Sequence, residues 1–109
     1  MIVAFSVAPS GIAESSPGGS GDDASVHTAV AAAVKVVRES GLANHTSSMF
    51  TEIEGDWDEV MDVVKRATEA AGAYGSRVSL VLKADIRPGH TGELTGKLER
   101  LEGALKTLG

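Results

Sequence analysis

The sequence predicts a single α+β domain in which helices pack on one face of a four-stranded antiparallel sheet. Three observations support this fold class. The chain has 109 residues, a length that suits one domain spanning 1–109. Four segments have the composition of strands, and three have the apolar spacing of helices. The order of these segments, βαββαβ followed by a last helix, contains the split βαβ pattern.

The first strand is expected over residues 2–8, because IVAFSVA is β-branched and aromatic and Pro9 follows it. Residues 12–23 are rich in glycine and serine, which predicts a flexible surface loop. The alternative for this loop is a lid over a site at the end of the first strand. A helix is expected over 25–40, with Gly41 just beyond its C-terminus. Four valines are expected to form its buried face: Val26, Val30, Val34 and Val37.

The polar segment 43–48 predicts an edge strand, since polar edges discourage unwanted pairing. A third strand is expected over 50–55, and a second helix over 57–72 with Asp56 as its N-cap. Strand alternation assigns the residues of the third strand to two faces. Thr51 and Ile53 share the core face, and Phe50, Glu52 and Glu54 share the other.

The fourth strand is expected over 77–87, and the last helix over 92–107. Four apolar residues of this strand are expected to face the core: Val78, Leu80, Leu82 and Ala84. Four leucines are expected on one side of the last helix: Leu94, Leu98, Leu101 and Leu105.

Right-handed crossovers place both helices of the βαββαβ unit on the same face of the sheet. The first and third strands then lie in the middle, which gives the strand order 4-1-3-2 of a ferredoxin-like fold. Antiparallel pairing is expected to bring Ser6 near Glu52, and Ala4 near Glu54. The other sheet face has no helix in the basic pattern, so we expect a partner subunit to cover it.

Polar side chains are expected to form a band on this uncovered face. They are Ser6, Glu52, Glu54, Ser79 and Lys83. A few polar groups on a floor of small and apolar residues are typical of small-molecule sites. Charged residues on facing strands also pair across subunit interfaces, and the pattern alone favours that second interpretation.

The composition excludes several classes of function. The net charge of -5 disfavours nucleic-acid binding, and no basic stripe is present. The sequence contains no cysteine, so disulfides and thiolate sites are excluded. This composition is compatible with a cytoplasmic location. No apolar run approaches the roughly 20 residues of a membrane span. The three histidines lack metal-ligand spacing, and no nucleophile motif indicates an enzyme.

Several stretches resemble one known family. VAFSVAPSG, SGLANHTSSMFTEIEGDWDEV, RVSLVLKADIR and GKLERL are similar to the small thiamine-binding, YkoF-like proteins. The strand ending that contains Lys83, Asp85 and Arg87 is among the most specific parts. The resemblance covers the chain except for residues 12–23.

The resemblance implies a non-catalytic binding or carrier protein for thiamine or its hydroxymethylpyrimidine part, with no cofactor. It also implies homodimers and homotetramers assembled through the sheets. Five residues occupy positions of the family motif: Ser6, Thr51, Glu52, Glu54 and Lys83. Ser79 is added to this candidate site by strand geometry alone. One departure is Phe50, which stands where many members have the glycine of a Pro-Met-Gly-Thr turn. The second hypothesis, after the carrier, is an oligomeric interaction module without a small ligand. The third is a minor enzyme of thiamine salvage.

Overall fold

The computed structural model describes residues 1–11 and 23–109, except for the side chains of 23–25. The elements in chain order are β1 (Ile2–Ser10), α1 (Asp23–Glu39), β2 (Ala43–Thr46), β3 (Thr51–Glu54), α2 (Trp57–Gly72), β4 (Arg77–Asp85) and α3 (Glu93–Leu108). The loop or lid expected over 12–23 therefore lies outside the described residues, apart from the backbone of Asp23, which begins α1.

The described strands form one antiparallel sheet in the order β2-β3-β1-β4, which confirms the predicted ferredoxin-like topology. β1 pairs with β4 over its full length but with β3 only from Ile2 to Phe5. β3 is short because the chain turns immediately before Thr51. From Ser6 onward, β1 therefore has no described strand on its β3 side.

The predicted register between β1 and β3 was wrong by two residues. Ala4, not Ser6, lies opposite Glu52, and Ile2, not Ala4, lies opposite Glu54. The strands were correctly identified, but the register of a pair depends on the geometry of the connecting chain, which periodicity does not report.

The core lies between the sheet and the two helices α1 and α2. Val3, Phe5 and Ile53 are buried on the helix-facing side of the sheet. The buried residues of α2 are Val60, Val63, Val64, Ala67 and Ala71. Asp56 is the N-cap residue of α2, although its side chain makes no capping hydrogen bond.

The buried face of α1 differs from the predicted valine face. Its buried positions are Ala29, Ala33 and Val37, whereas Val30 is 40% exposed. Alanine occurs where α1 packs closely against the rest of the core, because a small side chain allows the backbones to approach. Leu80 of β4 was also predicted to face the core. This prediction was wrong, since Leu80 is 43% exposed.

The last helix, α3, extends away from the sandwich. The molecule measures 54 × 32 × 20 Å along its principal axes. Glu93 is buried and Leu94 is partly buried, but every residue from Lys97 to Gly109 is exposed. α3 therefore covers only one end of the sheet face that lies opposite α1 and α2; we call this the open face.

Candidate functional site

A small cavity lies where β3 begins and where β1 has no described strand on its β3 side. We call it the loop cavity, and its volume is about 130 Å³. Its walls come from β1, α1 and the β2–β3 connection, and the residues are Phe5, Ser6, Val7, Val30, Ala33, Val34 and 46–51. These side chains are apolar or carry hydroxyls, and none of them titrates near neutral pH.

The turn over residues 47–50 forms one wall of the loop cavity. The amide of Ser47 donates to the carbonyl of Phe50 at 2.9 Å, which closes the turn. The Ser47 hydroxyl also accepts from the Phe50 amide at 3.2 Å. Serine at the start of a turn stabilises it through such local bonds. Met49 projects from this turn and is 75% exposed.

One polar atom in the loop cavity lacks a partner. The hydroxyl oxygen of Thr46 is buried and has no hydrogen-bond partner in the described structure. Leaving such a group unsatisfied costs about 1–3 kcal/mol. Buried polar groups without a protein partner often bind water or a ligand. The cavity is thus lined by apolar side chains and by Thr46, a residue whose buried hydroxyl has no partner in the described structure.

A second recess lies on the open face, and we call it the open-face cleft. Its volume is about 410 Å³. It is lined by Ile2, Ala4, Glu52, Lys83, Ala84, Asp85 and Lys97. The floor is formed by small or apolar residues of β1, while charged side chains stand around it.

The strand register sets the order of the charges on the open face. His45 lies opposite Glu52, Glu52 opposite Ala4, and Ala4 opposite Lys83. Directly opposite residues point to the same face with Cβ atoms about 5 Å apart. Within the described chain, neither Glu52 nor Lys83 makes a side-chain ion pair or hydrogen bond. Both groups are therefore available to a ligand.

Glu54 has a different role from Glu52. Its carboxylate accepts hydrogen bonds from the amides of Glu93, at 2.7 Å, and Leu94, at 3.3 Å. These amides belong to the first turn of α3, whose N-cap is Gly92 and has no capping side chain of its own. A carboxylate placed there satisfies free helix donors and interacts favourably with the helix dipole. Glu54 thus anchors α3 to the sheet.

Glu93 strengthens the same anchorage. Its carboxylate accepts a hydrogen bond from Arg100 at 2.5 Å and lies 3.6 Å from the guanidinium of Arg87. The Arg100 hydrogen bond lowers the pKa of Glu93, partial burial opposes this, and the charges of Arg100, Arg87 and His90 lower it further. Lys97 also forms an ion pair with Asp85 at the end of β4.

The six residues predicted as a site separate into four groups. Ser6 and Thr51 line the loop cavity, and Glu52 and Lys83 line the open-face cleft. Glu54 binds the start of α3. Ser79 lies opposite Ala8, near the far end of β1, and borders neither recess.

Sequence reasoning missed three residues near these recesses: Thr46, Ser47 and His45. For His45, strand alternation combined with the correct register would have placed it beside Glu52. For Ser47, the preference of serine for turns was an available signal. The buried hydroxyl of Thr46 left no signal in the sequence.

The described residues contain no group of three or more histidine, aspartate or glutamate side chains that could hold a metal ion. None of the described helices has the length and apolarity needed to cross a membrane.

The fold and its uncovered sheet face define a ferredoxin-like α+β domain with a C-terminal helix, a class that contains many functions. The chain belongs to the thiamine-binding protein family, whose model matches residues 3–102. It is 50% identical over 103 residues to a UPF0045 protein of Mycobacterium bovis, covering 94% of this chain and 91% of that one.

Two solved structures are similar in fold. A hypothetical protein of Methanocaldococcus jannaschii has a TM-score of 0.75 and 28% identity, covering 93% of this chain and 94% of that one. A candidate thiamine biosynthesis or salvage protein of Thermotoga maritima has a TM-score of 0.69 and 22% identity, covering 90% and 96%. At that identity, the second similarity concerns the fold alone.

Proposed function

We propose that this protein is a non-catalytic, cytoplasmic binding or carrier protein for thiamine or its hydroxymethylpyrimidine moiety. The observation that carries the proposal is the loop cavity, which has apolar walls and is lined by Thr46, whose buried hydroxyl has no partner in the described structure. Membership of the thiamine-binding family supports the class of ligand. The described residues that line the cavity include no titratable group, which favours binding over catalysis.

The pyrimidine ring is the part of thiamine that suits the loop cavity. Sites for drug-sized ligands usually have volumes of about 300–1,000 Å³. The loop cavity, at about 130 Å³, therefore suits a single ring. An aminopyrimidine is flat and has both donors and acceptors at its edge, so it can bond to the hydroxyls of Thr46 and Thr51, which share one side of the sheet, while its faces contact apolar walls.

The thiazolium ring is proposed to lie beside Glu52. Ser6 borders the loop cavity, and it lies two residues from Ala4, which is opposite Glu52. Two residues of a strand span about 7 Å. Because the loop cavity lies against α1 and Glu52 lies on the open face, the ligand is proposed to pass the edge of β1 at the start of β3 and to place its second ring near the Glu52 carboxylate. A permanent cation there would interact favourably with that charge.

Calorimetric titration with two ligands tests this arrangement. Thiamine carries the thiazolium cation, whereas free hydroxymethylpyrimidine does not. We expect both to bind to the wild type, and Glu52→Gln to weaken thiamine about tenfold, or ~1.4 kcal/mol. The same substitution should leave hydroxymethylpyrimidine binding nearly unchanged.

Ser79→Ala is the matched control, because Ser79 lies on the same sheet away from both recesses. It should leave the binding of both ligands unchanged. If neither ligand binds to the wild type at millimolar concentration, the carrier proposal is wrong.

A second candidate function is an oligomeric interaction module, and the open face favours it. Val81 lies on this face opposite Ser6 and is 56% exposed. Homodimers and homotetramers formed through such faces are compatible with ligand binding and belong to our proposal. Val81→Glu should dissociate a sheet-face contact in sedimentation analysis. An interaction module without a ligand predicts that this variant loses assembly and that the wild type binds neither compound.

A further inference from the structure

The open-face cleft carries two opposite charges on one line across the sheet. Glu52 lies opposite Ala4 of β1, and Ala4 lies opposite Lys83 of β4. Neighbouring strands are about 4.8 Å apart, so Glu52 and Lys83 are separated by about 10 Å along this line. Directly opposite residues point to the same face of the sheet. The cleft therefore has an anion and a cation on either side of one small residue.

Lys83 lacks a carboxylate partner in the described part of the chain. The residue opposite it is Ala4, and the next residue of β4 on the same face is Asp85. The carboxylate of Asp85 forms an ion pair with Lys97 of α3. The ion pairs of the described residues do not include Lys83. Its ammonium group is therefore available to an anion in the cleft.

The size and charge of the open-face cleft suit a ligand larger than a single cationic ring. Its volume of about 410 Å³ falls in the usual range of about 300–1,000 Å³ for sites that bind drug-sized molecules. Two acidic and two basic residues line it: Glu52, Asp85, Lys83 and Lys97. Because these charges balance, a ligand with one cationic and one anionic group matches the cleft better than a simple cation does.

We infer that the open-face cleft binds a zwitterionic ligand whose anionic group contacts Lys83, and that this ligand is the phosphate monoester of thiamine. The inference rests on the proposed function, which places the thiazolium ring near Glu52. The hydroxyethyl arm of that ring, once esterified, extends over Ala4 and carries its phosphate towards Lys83. A phosphate monoester has a charge of about −1.5 to −2 at pH 7, and lysine is a common phosphate ligand in proteins.

Calorimetric titration of the wild type with thiamine and with thiamine monophosphate measures the preference. The monophosphate should bind about 5–10-fold more tightly at low salt, because it adds a charge-assisted contact. This advantage should shrink in about 0.5 M NaCl, since salt screens exposed charges. Equal affinities at low salt would overturn the inference and leave the proposed function intact. No binding of thiamine, its monophosphate or hydroxymethylpyrimidine would contradict the proposed function as well.

Variants of Lys83 test whether this residue causes the preference. Lys83→Gln should reduce the affinity for the monophosphate to about that for thiamine and change thiamine binding less than about twofold. Lys83→Arg keeps the charge and should keep the preference. Lys65→Gln is the matched control, because it removes the same charge from α2, outside the cleft. Equal weakening of both ligands in Lys83→Gln, or an equal loss of preference in Lys65→Gln, would contradict the inference.

Two other roles of Lys83 give different results in the same titrations. β4 is an edge strand of the described sheet, and a lysine on an edge strand can serve to discourage pairing with other chains. That role alone predicts an unchanged preference in Lys83→Gln, which would overturn the inference. A general anion site predicts that inorganic phosphate, at a concentration equal to that of the monophosphate, abolishes the preference. The inference predicts that inorganic phosphate leaves the preference in place.

Discussion

Glu52 and Glu54 show how two similar residues acquire different roles from their neighbours. They are separated by one residue and share a sheet face. Glu54 accepts two amide hydrogen bonds from α3, while the carboxylate of Glu52 has no such partner in the described chain. Strand alternation placed both residues on the open face. The two residues differ because α3 begins beside Glu54 and not beside Glu52. The sequence pattern did not specify the position of α3.

Alanine substitutions of these two glutamates should differ in their effect on α3. Glu54→Ala leaves the first amides of the helix without their acceptor, at a cost of about 1–2 kcal/mol. Amide hydrogen exchange in residues 93–108 should then accelerate about 5–30-fold. Glu52→Ala is the matched control and should change exchange there less than about twofold. Equal acceleration in both variants would show that Glu54 does not anchor the helix.

At the level of secondary-structure elements, α1 was located correctly, but of its predicted buried face only Val37 is buried. The apolar spacing identified a helix, and the valines were assigned to its buried face because they are the largest apolar residues in it. Packing instead selected Ala29 and Ala33, because the close approach of α1 to the core favours small side chains. Val30 and Val34 line the loop cavity instead. Their exposure therefore follows from a cavity that periodicity alone could not predict.

The anchorage of α3 should depend on pH. The folded state lowers the pKa of Glu93, chiefly through the Arg100 hydrogen bond. The resulting stabilisation is present above the ordinary glutamate pKa of about 4.3 and is lost as the pH falls through the lower, folded value. The protection factors of the α3 amides, which compare each exchange rate with the unstructured rate at the same pH, should therefore fall as the pH is lowered from about 5 to about 3.

Glu93→Gln provides the comparison for this pH dependence. It removes the titrating group but retains a similar shape, so the protection factors in α3 should already be lower at pH 6 and should fall less on acidification. An identical pH profile in the wild type and in Glu93→Gln would contradict this role.

For the whole molecule, the strand order followed from the order of elements and the right-handed crossover rule. The two recesses did not, because both depend on where β3 starts. A β3 that begins at Thr51 leaves β1 without a described strand on that side from Ser6 onward and opens the loop cavity. It also brings Ala4 opposite Glu52, which creates the small floor of the open-face cleft. The predicted site differs from the observed recesses because the predicted register of β1 and β3 was wrong by two residues.

The central claim is that the ligand's pyrimidine ring bonds to the buried hydroxyl of Thr46, and Thr46→Val tests it most directly. Without ligand, removing an unsatisfied buried hydroxyl should raise the free energy of unfolding by about 1 kcal/mol in urea denaturation. Calorimetry should show thiamine and hydroxymethylpyrimidine both binding about 3–10-fold more weakly, the loss of one hydrogen bond. Thr95→Val, on the exposed surface of α3, should change neither property. A more stable Thr46→Val protein with reduced affinity for both compounds is the predicted result, and unchanged affinity for both would contradict the account.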